Sequence, residues 1–209
     1  MLEKLNQWDQ NLFIWVNQKY AFSWLDEPMI WLSSTWLFVP LYIWGIYMLI
    51  KKWKSKSWIP ISLLLLAFGL ADSISTRVLK DNTHRLRPCF NQELSDQVRL
   101  PDGLPGGKYG FVSSHSANAF AVYPLLMLFV FARKTSPKNP INGIKKWNKK
   151  QKLGYWIMFV VACFVAYSRV YLGRHFVGDV VGGAILGLLL GRILWNWYNR
   201  NSSKWMIEK

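Results

Sequence analysis

Five apolar runs, each close to the length that crosses a hydrocarbon layer, constrain this 209-residue chain more than any other feature. They cover residues 29–50, 58–79, 116–132, 153–172 and 176–197, and each is bounded by charged or turn-rich sequence. A membrane core takes about 20 helical residues at roughly 1.5 Å rise each. With 52% hydrophobic residues and 13 tryptophans, the composition agrees with that reading and fits a soluble domain poorly. The pattern predicts an all-α, polytopic membrane helix bundle of about five transmembrane helices. Five crossings place the two chain ends on opposite sides.

The segment before the first run is different. Leu5, Trp8, Leu12 and Val16 recur at helical spacing, while Asn6, Asp9, Gln10 and Asn17 fill the other face. It predicts an N-terminal interfacial amphipathic helix over residues 1–28, followed by the membrane domain over 29–200 and a short tail over 201–209. A sixth crossing here would bury both Asp9 and Lys19, which is costly without partners. No cleavable leader is visible.

The formal net charge of +15 invites a nucleic-acid reading, but the basic residues sort by loop instead of interleaving with stacking aromatics. Lys51, Lys52, Lys54 and Lys56 fill the first connection. Arg133, Lys134, Lys138, Lys145, Lys146, Lys149, Lys150 and Lys152 fill the third, and neither connection holds an acid. Both are expected on the cytoplasmic side. The second connection, residues 80–114, is nearly balanced in charge and is expected outside. Trp24, Trp31, Trp53, Trp58, Trp195 and Trp197 fall near the ends of the runs, as an aromatic belt requires.

Folded into a bundle, the end of the second run, the start of the third, the end of the fourth and the start of the fifth meet at one membrane face. The unusual polar residues sit there: Lys80, Arg85 and Arg87; Ser113, Ser114 and His115; Arg169; and His175 with Asp179. Ionisable groups at membrane depth are expensive and are functional candidates by default. The excess of cations suits a dianionic, oxygen-rich group, since guanidinium forks pair bidentately with phosphate oxygens. Backbone N–H groups at the start of the third helix add donors. His175 and Asp179 are four apart, so the carboxylate can take the proton on one ring nitrogen and leave the other free to attack. His115, on another helix, is available to protonate a departing alkoxide.

Three stretches, Lys80-(six residues)-Arg87-Pro88, Ser113-Ser114-His115, and Ser168-Arg169-(five residues)-His175-(three residues)-Asp179, resemble the tripartite signature of the type 2 phosphatidic acid phosphatase superfamily. That resemblance covers roughly half the chain. It implies a metal-independent membrane phosphatase acting on a lipid phosphomonoester or diphosphate through a phosphohistidine. Undecaprenyl diphosphate, lipid A, phosphatidylglycerophosphate and phosphatidate are the implied substrate types. It further implies that Lys80, Arg87, Arg169, Ser113 and the Ser114 amide bind phosphate, that His175 is the nucleophile oriented by Asp179, and that His115 is the general acid. The second motif of the family usually reads Pro-Ser-Gly-His; here Val112 stands for the proline and Ser114 for the glycine. The hydroxyl and imidazole are kept, so the departure bears on the turn and not on the chemistry.

Other readings predict different things. A lone His-x-x-x-Asp is ordinarily a structural pair, and a scaffold without activity would keep it. A transporter would show repeats and interrupted helices at mid-membrane. A haloperoxidase-like enzyme would hold vanadate in the same pocket. A serine hydrolase is disfavoured, because no Gly-x-Ser-x-Gly elbow exists. No metal or other cofactor is expected: the histidines show no zinc-binding spacing, and clustered cations repel a divalent ion. The expected partners are the lipid substrate and the bilayer, in a cell-membrane location with the site facing the periplasm or outside. His84 and Arg85, at variable positions of the first motif, are expected to face solvent or head groups. Asp72 is expected to make a buried hydrogen bond. The four-residue glycine spacing from Gly178 through Gly191 is expected to pack within the bundle.

Overall fold

The structure, a computed structural model, describes residues 2–132 and 147–205. Among these the chain is helical throughout, apart from loops and one isolated backbone pairing between Leu86 and Tyr109. The helices are α1 (Leu2–Ile14), α2 (Ser23–Ser33), α3 (Val39–Trp53), α4 (Trp58–Ser73), the single turn α5 (Asp81–Thr83), α6 (Ser114–Val130), α7 (Lys149–Tyr171) and α8 (Val177–Trp205). A wide π-type stretch, Ile74–Lys80, joins α4 to α5 without a break, so Trp58–Thr83 forms one span. Together with Lys149–Tyr171 and Val177–Ser202 it makes three helices long and apolar enough to cross a membrane.

The first apolar run is not the continuous helix that its composition suggests. It is split at Ser34, whose extended backbone (ψ 134°) starts a new turn by accepting a hydrogen bond from the Trp36 N–H, and Pro40 then opens α3. The two halves, Ser23–Ser33 and Thr35–Lys56, bend by 64° and form a fourth span when taken together. The third run becomes α6, whose 17 residues reach only about 26 Å. Fourteen of them are buried, because α6 is the central helix, packed against α4, α7 and α8.

Glycines decide how closely α8 approaches α6. A Cβ at Gly183 would stand 2.5 Å from the Ser113 carbonyl oxygen, and one at Gly187 would stand 2.3 Å from that of Ala117. No residue but glycine allows the backbones so near. The expected small-residue stripe therefore packs inside the bundle, apart from Gly178, which faces Asp9 of α1.

Helix α1 packs on the protein through Phe13, which meets the Phe176 ring edge-on, and through polar residues of the same face. Asp9 and Asn17 bond to other elements, whereas Leu5, Trp8 and Leu12 are exposed. Asn17 is buried, donating to the carbonyls of Arg99 (2.9 Å) and Tyr171 (2.7 Å) and accepting from the Arg99 N–H (2.9 Å). Val16, assigned by spacing to the apolar outer face, is buried because the last turn of this segment widens.

At the opposite end of α6, Lys52 Nζ donates to the Val130 carbonyl (2.6 Å) and the Asn148 side chain to that of Phe131 (2.8 Å). Asn148 and Gln151 form a reciprocal capping box that starts α7. The basic first connection and Lys149, Lys150 and Lys152 thus gather at one end of the bundle. Arg133, Lys134, Lys138, Lys145 and Lys146, and the last four residues of the tail, lie outside the described residues. Of the proposed belt, Trp24, Trp31, Trp58 and Trp197 are exposed, but Trp53 and Trp195 are buried, the latter stacked on Tyr198 and edge-on to Phe129.

Candidate active site

Four helix ends build the site. Helix α7 ends at Tyr171, two residues past Arg169, in a turn where Arg174 N–H bonds to the Arg169 carbonyl and Gly173 N–H to that of Val170, both at 3.0 Å. This is a Schellman motif, and Gly173 supplies its left-handed residue (φ 72°). Its effect is to fold His175 back beside Arg169. Helix α8 then begins at Val177, so His175 precedes the helix and does not share a helical face with Asp179. The two still meet, His175 Nδ1 lying 3.4 Å from Asp179 Oδ2, because the carboxylate reaches back over the helix start to accept the Phe176 N–H at 3.1 Å.

Helix α6 contributes Ser113 as its N-cap, accepting from Ser116 N–H at 3.5 Å. Ser113 N–H donates to the Asp179 carbonyl (3.0 Å) and Ser116 Oγ to that of Val180 (2.7 Å), locking the starts of α6 and α8 together. Lys80, at the end of the α4 span, places Nζ 3.4 Å from Ser114 Oγ.

After α5, His84 adopts a left-handed conformation (φ 49°) and turns the chain back. Residues 85–87 run extended against 108–110, with Arg87 N–H bonded to the Lys108 carbonyl (3.0 Å) and Gly110 N–H to that of Arg85 (2.8 Å). Arg87 is buried, its Nε donating to the Tyr109 carbonyl at 3.1 Å. Gly106 (φ 75°) makes room for the guanidinium, since a Cβ there would lie 2.0 Å from Arg87 Nη1.

Arg169 and His175 are both nearly inaccessible, at 4% and 1% exposure, and Asp179 is fully buried. Arg169 donates to Ser33 Oγ, while its Nε meets no protein acceptor. Burial, and then Arg174, pull the Arg87 guanidinium below its ordinary pKa. Burial pushes the His175 imidazole well below its ordinary pKa, helped by Arg87, Arg169 and Lys80, so it is neutral. A neutral imidazole can act as a nucleophile; an imidazolium cannot. The cations outnumber the carboxylates that face them, which is the electrostatic condition for taking up an oxyanion. Among the described residues no three of His, Cys, Asp and Glu gather as a metal site requires.

The family model of the PAP2 superfamily matches residues 58–203, which contain Lys80, Arg87, Ser113, Ser114, His115, Arg169, His175 and Asp179. The chain belongs to the PAP2 superfamily. It is similar to the lipid A 4'-phosphatase of Porphyromonas gingivalis, at 27% identity across 98% of this chain and 79% of the relative. It is also similar to phosphatidylglycerophosphatase B of Bacillus subtilis, at 34% identity across 80% of this chain and 72% of that protein. The crystal structure of a transmembrane PAP2-type phosphatidylglycerolphosphate phosphatase from Bacillus subtilis superposes with a TM-score of 0.66 at 28% identity, over 94% of this chain and 85% of that one. The protein is a multi-pass membrane phosphatase of the PAP2 type, and its all-α bundle is the fold of that family.

Within this PAP2 bundle, Ser113, Ser114 and His115 lie at the start of α6, Lys80 near the end of the α4 span, Arg169 in the last turn of α7, His175 and Asp179 at the start of α8, and Arg87 in the loop after α5. His115 lines a cavity of about 240 Å³ that also touches Ser114, Asp72 and Asn118. Asp72 accepts from the Asn118 side chain at 3.5 Å, a weak form of the hydrogen bond expected for it. The expectation for Arg85 fails. It does not face solvent or head groups but donates to Asp179 Oδ1 at 2.8 Å. Two residues apart in extended chain, Arg85 and Arg87 point to the same side, and the Arg-Leu-Arg-Pro spacing carried that signal. Ser33, Arg174 and Gly106 were also missed; nothing local in the sequence marks them.

Proposed function

We propose that this phosphatase hydrolyses the phosphate or diphosphate of a membrane lipid at the outer face, with His175 as nucleophile, Asp179 as its orienting carboxylate and His115 as general acid. The observation that carries the reading is the position of His115 between polar and apolar space. The cavity it lines shares Thr35, Tyr42 and Phe68 with a further groove of about 340 Å³, whose other walls are aliphatic, including Ile46, Ile61 and Leu65. A lipid leaving group would lie along that groove, and its bridging oxygen would meet His115.

In this reading Lys80, Arg87, Arg169, Ser113 and the Ser114 amide hold the non-bridging oxygens and neutralise charge as it redistributes. His175 Nε2 attacks phosphorus in line, forming an N–P bond as the bond to the lipid oxygen breaks. His115, kept neutral by burial and by the Arg169, Lys80 and Arg174 charges until bound phosphate offsets those charges, takes up a proton and gives it to that oxygen. Attack makes the ring cationic and draws Nδ1–H onto Asp179; separations between catalytic partners commonly tighten in this way when substrate binds. His115, now neutral, takes a proton from water. The hydroxyl attacks phosphorus, the N–P bond breaks, and phosphate leaves.

The outward orientation is supported by the basic residues at the far end of the bundle from this site. Exposed Leu5, Trp8 and Leu12 support an α1 lying in the interface with its apolar face toward lipid. For an outward site the favoured substrates are an isoprenoid diphosphate or lipid A. Phosphate release by purified protein from undecaprenyl diphosphate, lipid A, phosphatidylglycerophosphate and phosphatidate tests the reading. Turnover of at least one is expected, and release from none of them, with wild-type folding intact, overturns it.

A further inference from the structure

Two residues with no assigned part in the chemistry touch the buried carboxylate and the start of its helix. Arg85 spends both arms of its fork on carboxylates: Nη1 donates to Asp179 Oδ1 at 2.8 Å and Nη2 to Asp9 Oδ2 at 2.6 Å. Its guanidinium also lies over the Phe176 ring, 4.7 Å from the centroid. It is therefore engaged away from an incoming phosphate, unlike Arg87 and Arg169. Asp9, from α1, accepts a second bond from the Gly178 N–H at 2.8 Å. That N–H belongs to the first turn of α8 and has no partner within the helix. Gly178 permits the approach, since a Cβ there would lie 2.7 Å from Asp9 Oδ2.

From this chain of contacts we propose that Arg85 and Asp9 are positioning residues for the His175 and Asp179 pair. The proposal rests on the roles given to those two residues above. Asp179 has two oxygens. Arg85 fixes Oδ1, which leaves Oδ2 directed at the Phe176 N–H and His175 Nδ1 and unable to rotate away. A fully buried carboxylate also needs a compensating charge, and Arg85 is the only cation that bonds to it among the described residues. Asp9 in turn holds the second arm of Arg85 and pins it to the start of α8. Helix α1 thereby becomes part of the catalytic framework, though its sequence lies outside the residues matched by the family model.

The distinction from an ordinary structural ion pair lies in which kinetic step fails. Steady-state kinetics of the full-length protein with a lipid substrate from the panel, alongside trapping of the acid-labile phosphoryl adduct, would compare wild type with Arg85→Ala, Arg85→Lys, Asp9→Asn, Asp179→Asn and the Arg85→Ala/Asp179→Asn double variant. Loss of a charge-assisted bond predicts a kcat lower by about 10- to 100-fold in Arg85→Ala, with KM within about threefold. Adduct formation should slow by the same factor. Arg85→Lys should recover part of the loss, and Asp9→Asn should lower kcat in the same direction by about 3- to 10-fold. In the double variant the two losses should not multiply, because both act through one carboxylate.

Wild-type kcat in Arg85→Ala, a change confined to KM, or fully multiplicative losses would each overturn the proposal. If Arg85→Ala does not fold, Arg85→Lys and Asp9→Asn decide: both at wild-type kcat overturns it. Unimpaired Asp179→Asn would instead remove the parent assignment, and this inference with it. An impaired Asp179→Asn beside an unimpaired Arg85→Ala sinks the positioning role alone.

Discussion

Replacing Gly187 by alanine should damage the enzyme although the residue lies two helical turns, about 12 Å, beyond Asp179. A Cβ at this position would stand 2.3 Å from the Ala117 carbonyl oxygen and 2.9 Å from the Ala121 nitrogen, both backbone atoms that cannot swing aside. Ordinary contact begins near 3.4 Å, so α6 and α8 must part by about 1 Å. Overpacking of this kind costs about 1–3 kcal/mol, against a gain of about 1 kcal/mol from the better helix former. The rigid backbone contact puts the packing cost near the top of its range, for a net loss of about 2 kcal/mol. For a chain of this length that lowers Tm by about 4–8 °C. The same seam carries the Ser113 to Asp179 and Ser116 to Val180 hydrogen bonds, so parting it displaces the carboxylate from the start of α6. A displacement near 1 Å can cost about 100-fold in rate. Two controls grade the argument. At Gly191 the nearest atom to an added Cβ is 3.2 Å away, and at Gly69 nothing lies within 4 Å. Thermal unfolding in a fixed detergent and phosphate release should rank Gly69→Ala as neutral or stabilised, Gly191→Ala as nearly wild type, and Gly187→Ala as clearly impaired in both. A Gly187→Ala protein with wild-type Tm and kcat would refute the close-packed seam.

The two histidines should fail at different steps. With a nitrophenyl phosphate, whose leaving group needs little protonation, His115→Ala should still accumulate a phosphoryl adduct, whereas His175→Ala should never form one; an adduct in His175→Ala, or one on Ser113, would reverse the assignment. Because His175 is buried with a depressed pKa, acid favours the unfolded state. The stability of the neutral buried ring is fully present above the unfolded value near 6.5 and is lost progressively as pH falls below it, because only the unfolded state takes up the proton. Urea or thermal unfolding of wild type and His175→Gln should show the wild type losing more stability between pH 7 and pH 5, and parallel losses would contradict the neutral buried ring. In a background lacking Cys89 and Cys163, Leu104→Cys should react with an impermeant thiol reagent from outside intact cells and Lys150→Cys only from the cytoplasm, with reversed labelling overturning the orientation.

What the sequence disclosed follows from which signals are local. Ser113, His115, Arg169 and His175 lie at the ends of apolar runs, and a helix end is where a polar side chain can be recognised as out of place. The bundle followed from run lengths alone. The break at Ser34 escaped because the residues around it are apolar enough to continue a helix, and only the hydroxyl capping Trp36 marks the stop. Trp53 and Trp195 escaped because a tryptophan near a helix end is compatible with either an interfacial or a core position, and only packing decides between them. The contact that Asp9 makes could not be read from the sequence. Its partner Arg85 is 76 residues away, and on a helical wheel it is one polar residue among several on the hydrophilic face. The exposure of Leu5, Trp8 and Leu12 on that helix is intelligible only once a hydrocarbon or interfacial phase replaces water outside.

The two helices that open at the site are prepared in opposite ways, and this gives the pocket its direction. Each helix start presents unpaired N–H groups and the positive end of a dipole, and either could attract an anion. At α8 that demand is already met, since Asp179 accepts the Phe176 N–H and Asp9 the Gly178 N–H, with Arg85 bonded to both carboxylates and offsetting one of their two charges. At α6 the start is flanked by hydroxyls and by Lys80, and no carboxylate bonds to its first-turn N–H groups among the described residues. On the proposed function, a phosphate entering the pocket would therefore be drawn to the start of α6 and away from α8. His175, in the turn just before α8, would then face a phosphate held from the other side, with the Asp179 carboxylate, already bonded to Arg85 and the Phe176 N–H, behind it. The glycine seam that brings the two helix starts together is, on this account, as much a part of the phosphate site as the arginines.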